Sequence, residues 1–425
     1  MEKDLHKRFK NRKIKKPNKI LARIITFAFN RICKKNNVEF VYEEDFVRMH
    51  KKQMIVLVQH KSTNDYIYVF AGLKKDDVHV LCGYQNVFQK YLYTLLEKLG
   101  VIAKMLYQVD VQATRQILQA VKLGDSVMVF PEGIQSTSGS THPINPATIN
   151  LLAKLKLPVA LVKIKGSYFS RTRYSKDVKK GKITVTYTKL FSEKDFEQQT
   201  KEQLYQKMLD NFKYNEFEEY KAERVPFIGK QPNIFGLDNI IYKCPHCGSE
   251  YEFLVEGDKM KCKSCDFTIS MDEYYDIHAV NKTLPFNNID EWYKWQRKII
   301  SNEIKSDEFC LSATCKLGKI NTKKLGDNYS LMNIGEGVLT LTNKGLLYEG
   351  TRENEKVKLF FEASAVYSLT MSLAYDFDLY YKNEYFNFKL TSDEKKVAKW
   401  MLAAEEIHNL YDDSWRKASE EVYEY

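Results

Sequence analysis

Two short runs of apolar residues, 54–59 (MIVLVQ) and 125–130 (DSVMVF), each break off into a polar loop. Runs this short, rich in branched side chains, predict strands buried on both faces, as parallel sheets require. Two further runs, 78–82 (VHVLC) and 157–166 (LPVALVKIKG), repeat the pattern. Helix-like segments at 66–73, 86–99, 112–122 and 146–156 lie between them. The alternation predicts an α/β domain, and such sheets carry their sites beyond the carboxyl ends of the strands.

The remaining composition narrows the class. A chain of 425 residues has room for two to four domains, and 44% hydrophobic with 28% charged residues excludes a disordered or collagen-like chain. No apolar run approaches the roughly 18–20 residues of a spanning helix. The formal charge of +11 is unevenly placed: residues 1–37 hold 13 Lys/Arg against Glu2 and Asp4, and the rest balances at 53 against 53. Behind the cationic run, Ile20, Leu21, Ile24, Ile25, Phe27 and Phe29 form a short amphipathic segment interrupted by Arg23. Residues 1–37 thus read as a basic amphipathic membrane-binding arm for an anionic surface, against the plainer reading of a solvated tail and packing helix. No signal-peptide pattern is present, and Cys33, Cys82, Cys310 and Cys315 are scattered. A reducing cytoplasm follows, with the protein peripheral on the inner face of the cell membrane.

The polar loops carry the chemistry. The first run enters His60-Lys61-Ser62-Thr63-Asn64-Asp65. On a regular helix His60 and Asp65 would sit about 140° apart, but at a strand-to-helix corner the carboxylate can hold one imidazole nitrogen and leave the other as a base. Alone this spacing is weak, arising by chance about 0.4 times in such a chain. The second run ends in Phe130-Pro131-Glu132-Gly133, a tetrapeptide expected about twice in a thousand such chains.

H-x4-D followed about 70 residues later by FPEG, then a helix and a Pro-introduced apolar strand, resembles the lysophospholipid acyltransferase family, whose best-known members are 1-acylglycerol-3-phosphate acyltransferases. The resemblance covers about 40–210 and extends to an acyltransferase domain over 38–225. It implies acyl transfer from acyl-CoA or acyl carrier protein to a hydroxyl of a lysophospholipid acceptor, with His60 as general base, Asp65 orienting it, and Glu132 and Gly133 shaping the acceptor site. It also implies phospholipid biosynthesis or remodelling. Where the family carries arginines for the acceptor phosphate, this chain has Gln135, and near the GVIA segment Lys104 or Arg115. Lys163, Lys165, Arg171 and Arg173, from a basic stretch at 163–182, are further candidates for phosphate or CoA, against an ordinary charged loop. A non-catalytic lipid-binding adaptor on an acyltransferase fold is the competing reading.

Cys244-x2-Cys247, fourteen residues, then Cys262-x2-Cys265 is the spacing of a four-cysteine zinc ribbon over 238–272. Four thiolates close a tetrahedron, so the Zn2+ would be structural; a redox role for the two CxxC pairs is the alternative. The segment resembles rubredoxin-like ribbons. Few aromatic residues interleave with its basic ones, which disfavours nucleic acid as a partner. Residues 286–304 read as an amphipathic linker helix. Residues 305–425 read as a mainly β domain, with a hairpin at Asn343-Lys344-Gly345 and one terminal helix at 393–415, similar in outline to PH or GRAM-like domains.

Overall fold

The four apolar runs lie side by side in one sheet. The computed structural model describes residues 5–326, 330–372, 376–392 and 397–423. Its first sheet contains β1 (Val38–Tyr42), β2 (Ile55–Val58), β3 (Val78–Gly83), β4 (Ile102–Lys104), β5 (Ser126–Val129), β6 (Val159–Lys165) and β7 (Ile183–Phe191). The order is β1-β7-β6-β2-β5-β3-β4. Strands β6, β2, β5, β3 and β4 run parallel, while β7 pairs antiparallel to β6 and carries β1 parallel to itself.

All four residues of β2 are buried because both faces are covered. Ile55 and Leu57 pack with Ile117, Ile149 and Met208 on one side. Val56 and Val58 pack with Tyr68, Val69 and Leu73 on the other. The alternation follows from the period-2 pleat, and central placement explains why no polar residue interrupts the run.

The segment 86–99 forms two short helices, Tyr84–Val87 and Tyr93–Lys98, instead of one. On a continuous helix Tyr93 would point about 180° away from Tyr84. The break lets Tyr84, Phe88 and Tyr93 converge on Phe9 in one aromatic cluster.

That Phe9 belongs to the basic segment, which is therefore no free tail over its described part. Helix α1 (Leu5–Asn11) is followed by α2 (Lys19–Lys35). The Gln116 amide donates to the carbonyls of Lys10 and Arg12, and Ile14 enters the core. Asn18 caps α2 by accepting from the Leu21 amide. Along α2, Leu21, Ile25 and Phe29 are half-buried, and the Phe29 ring meets Tyr66. Ile20, Ile24 and Phe27 face outward at 73%, 60% and 64% exposure. Among the described residues no helix is long and apolar enough to cross a membrane.

The cysteine-containing segment is a four-stranded antiparallel sheet, Phe253–Glu256, Lys259–Cys262, Thr268–Met271 and Ile277–Ala279. Its last strand lies beyond residue 272. Phe253 and Phe267 pack on Trp292 of the helix Ile289–Glu303. The C-terminal part is a seven-stranded antiparallel sheet: a four-strand meander from Cys310 to Glu362, then a three-strand meander from Thr370 to Leu390. Its first strand pairs with its last.

The expected helix 393–415 begins outside the described residues at 393–396. From Val397 it is two helices, Val397–Asn409 and Asp413–Tyr423. Asp412 ends the first and caps the second, accepting from the amides of Ser414 and Trp415. One apolar core runs unbroken from Tyr168 and Phe169 through Phe227, Ile269 and Trp292 to Leu317 and Trp400. The architecture is a mixed α/β domain, a four-cysteine sheet and a β-rich region closed by helix.

Candidate active site

Strand β2 ends at Val58, and the chain turns into the helix Asp65–Leu73. The turn brings together what a regular helix would separate: His60 Nδ1 and Asp65 Oδ2 are 2.9 Å apart. A carboxylate only accepts, so Nδ1 carries the proton and Nε2 is the basic nitrogen. Asp65 is fully buried. Its Oδ2 also accepts from the amides of Lys61 (2.6 Å) and Ser62 (2.8 Å), and its Oδ1 accepts from the Ser167 hydroxyl (2.5 Å). The carboxylate lies in the first turn of its helix, where the helix dipole favours negative charge. The His60 ring leans on Phe130 with centroids 4.5 Å apart. Its side chain keeps 20% exposure, and no hydrogen bond reaches Nε2 from the described residues.

The loop after β5 braces the first. Glu132 is buried, its Oε1 accepting from the His60 amide and its Oε2 from the His142 amide, each at 2.8 Å. The His60 carbonyl accepts from the Ser136 amide. Gly133 has φ +78°, a conformation nearly free only to glycine, and a Cβ there would lie 3.6 Å from the Tyr107 ring. Gln135 Oε1 accepts from the Thr63 hydroxyl at 3.1 Å.

The third loop follows β6, whose carboxyl end lies on the same edge of the sheet. It supplies Ser167, Arg171 and Arg173. Arg171 reaches Asn64 Oδ1 at 3.4 Å. Arg173 is buried and donates to the carbonyls of Gln135 and Met371. Burial lowers the Arg173 pKa from its ordinary value.

Residues 36–165 match the family model described as Acyltransferase. This part of the chain is an acyltransferase domain. The protein is accordingly an acyl-transferring enzyme. A similar solved structure is the 1-acyl-sn-glycerophosphate (LPA) acyltransferase PlsC from Thermotoga maritima, at 19% identity and a TM-score of 0.39, covering 47% of this chain and 80% of that one. Among curated proteins nothing matches.

At the carboxyl ends of β2, β5 and β6, His60, Asp65, Glu132, Gly133, Gln135, Arg171 and Arg173 come together. Four candidates do not join them. Lys104 donates to the carbonyls of Met105 and Gln108, and burial lowers its pKa. Arg115 is exposed on the helix Val111–Lys122. Lys165 pairs with Glu223 at 2.5 Å. Lys163 projects from β6, paired in register with Thr186.

Sequence reading missed Lys61 and Glu216. Lys61 is fully buried, 3.8 Å from Glu132 and over the Tyr214 ring. Glu216 is buried beneath the site, accepts from the Tyr214 hydroxyl, and is pushed up to about 8, chiefly by burial. Ser167 was also missed, although a polar residue just past a buried strand run was the available signal.

Far along the chain, the four sulfurs of Cys244, Cys247, Cys262 and Cys265 lie within 4.8 Å of one another. Cys244 to Cys265 and Cys247 to Cys262 are both 3.7 Å. Ligands about 2.3 Å from a tetrahedral ion stand about 3.8 Å apart, so the group fits a four-thiolate metal site. Gly248, with φ +72°, makes the turn after the first pair.

Proposed function

We propose that the protein transfers a fatty acyl group from a thioester donor, acyl-CoA or acyl carrier protein, to a hydroxyl of a lysophospholipid at a membrane surface. The observation that carries this reading is the His60–Asp65 pair, with an accessible Nε2 at the shared edge of β2, β5 and β6. In the reaction, Nε2 takes the acceptor hydroxyl's proton while the oxygen attacks the thioester carbonyl. The C–S bond then breaks, and the leaving thiolate receives the proton from His60. Asp65 holds the ring and stabilises the imidazolium formed between the two steps. No acyl-enzyme is required, since both substrates meet at one edge.

Arg171, beside Asn64 at the loop mouth, is the cation best disposed toward an acceptor phosphate. Arg173 acts beneath it by holding the Gln135 carbonyl. The adaptor reading is disfavoured by the accessible Nε2 of a His60 ring that Asp65 holds in one orientation. The outward row Ile20, Ile24 and Phe27, flanked by Lys19, Arg23 and Arg31, supports contact with an anionic bilayer.

The four cysteines would hold Zn2+, a closed structural ion that ties two hairpins together. The two C-terminal meanders, with first and last strands paired and a helix following, support the PH or GRAM-like reading of that part. Incubating the purified protein with acyl-CoA and a panel of lysophospholipids, with products read by mass spectrometry, tests the proposal. Transfer is expected for the wild type and lost in His60→Ala with its circular dichroism unchanged. Failure to acylate any lysophospholipid, from either donor, sinks it.

A further inference from the structure

Between the acyltransferase domain and the C-terminal sheet lies a cleft of about 240 Å³. One wall is Tyr107 and Gln108, from the loop after β4; the other includes Ser364, Tyr367, Tyr381 and Lys382. Tyr107 links this cleft to the site. Its ring stands where a Cβ on Gly133 would touch it, and it also lines the small cavity beside Glu132 and His142. The ring stacks on Tyr367 with centroids 6.4 Å apart and 15° between planes. Tyr107 holds φ +55°, a conformation that costs a non-glycine residue free energy and is retained only where surroundings impose it.

The chemistry of the lining is selective. Gln108 Oε1 accepts from the Asn383 amide at 3.0 Å, which fixes the amide's orientation. Its Nε2 is then buried with no hydrogen-bond partner among the described residues. A buried donor left unpaired is costly, and a ligand acceptor would relieve it. Phenol and serine hydroxyls can both donate and accept, the Lys382 ammonium only donates, and no carboxylate among the described residues lines the cleft. A cationic headgroup would meet Lys382 without a counter-charge. A bare phosphomonoester would leave most of the volume unfilled.

We infer that this cleft receives the headgroup of the acceptor, a neutral polyhydroxyl group esterified to the lysophospholipid's phosphate. The inference rests on the acyl-transfer reading and names its substrate class. Hydroxyls of the headgroup pair with Gln108 Nε2, Ser364 and the phenols, the tyrosine rings cover its carbon frame, and Lys382 closes the cleft against a cationic group. Headgroup selection thus comes from Gln108 on one wall and from residues of the C-terminal part on the other.

The test compares kcat/KM of the full chain for lysophosphatidylglycerol, lysophosphatidic acid and lysophosphatidylcholine of equal acyl length, in wild type, Gln108→Leu and Lys382→Glu. Lysophosphatidylglycerol should be favoured over both others by about tenfold or more, as expected when a site holds unpaired donors for the correct substrate. Gln108→Leu should cut that preference about tenfold, mainly through KM. Lys382→Glu, at an exposed turn, should shift selectivity toward the choline headgroup, with circular dichroism confirming an unchanged fold. Equal turnover of the three, a preference for lysophosphatidic acid or lysophosphatidylcholine, or a preference indifferent to both substitutions overturns the assignment while leaving acyl transfer intact. Absence of turnover on every lysolipid overturns both.

Discussion

Glu132 and His60 are joined through the main chain: the carboxylate oxygen Oε1 accepts from the amide of His60 at 2.8 Å, so Glu132 sets the backbone from which the imidazole springs. The family resemblance casts Glu132 in shaping an acceptor site. Its two oxygens accept from the amides of His60 and His142, with the buried Lys61 ammonium 3.8 Å away. Glu132→Ala should therefore destabilise the fold by about 3–5 kcal/mol, since it leaves a buried cation and two amides without partners. Urea denaturation measures this; a loss under about 1 kcal/mol would assign the bracing elsewhere.

Asp65→Asn keeps the side chain's shape and offers His60 a donor as readily as an acceptor. The ring then loses its enforced tautomer, and kcat should fall about 10²–10⁴-fold with KM little changed. Ser167→Ala, which removes one donor to Oδ1, should lower kcat by no more than about tenfold. Initial-rate kinetics on both variants gives the ranking, and a larger loss for Ser167→Ala contradicts it.

Glu216 titrates against the fold. Burial raises its carboxyl from an ordinary 4.5 to about 8, so the folded state keeps a proton the unfolded chain releases. Its contribution is complete below about pH 4.5 and is lost progressively as pH rises toward about 8. Glu216→Gln, neutral throughout, should match the wild type in stability near pH 5 and exceed it by about 1–3 kcal/mol near pH 8. Parallel denaturation curves at the two pH values decide the matter, and an unchanged difference refutes the assignment.

Removing the metal ion proposed for the four cysteines should unsettle more than their own sheet. Phe253 and Phe267 pack on Trp292, whose helix also sends Arg297 to Glu405 and Glu406 in the helix Val397–Asn409. Chelation, or Cys262→Ser, should lower Tm by several degrees and expose Trp292 to fluorescence quenchers. Colorimetric release of zinc in proportion to protein identifies the ion, and an unchanged Tm on its removal would make the site dispensable.

Ile24→Glu and Phe27→Glu place charge on the outward row of α2, away from the core. Together they should weaken sedimentation with anionic vesicles about tenfold or more while leaving turnover of a dispersed, short-chain acceptor near wild type. Equal loss of both activities would mean that α2 serves the fold alone.

The legibility of this chain follows its physics. Strands β2, β5 and β6 are buried on both faces, so their apolar runs are continuous and visible. His60 and Asp65 could be paired because both ends of the pair sit in one loop. Ser167, over 100 positions away, reaches Asp65 only through the parallel sheet, and one serine carries no local signal. Lys61 looks like a solvated loop cation until Glu132 and Tyr214 close around it. The 86–99 helix failed because aromatic packing on Phe9 outweighed continuity. Charge alone could not separate Arg171, at the loop mouth, from Lys165, tied to Glu223.

The unbroken core from Phe169 to Trp400 gives the molecule an unusual grain. Four successive stretches of sequence, each with its own recognisable pattern, contribute side chains to that one interior. A cut at residue 225, where motif reading ends the first domain, would split Phe169 from its stacked partner Tyr275 and open an oily wound on the catalytic half. Swapping the ribbon or the β-rich end for a homologous piece would disturb the loop after β6, and hence the serine that steadies Asp65.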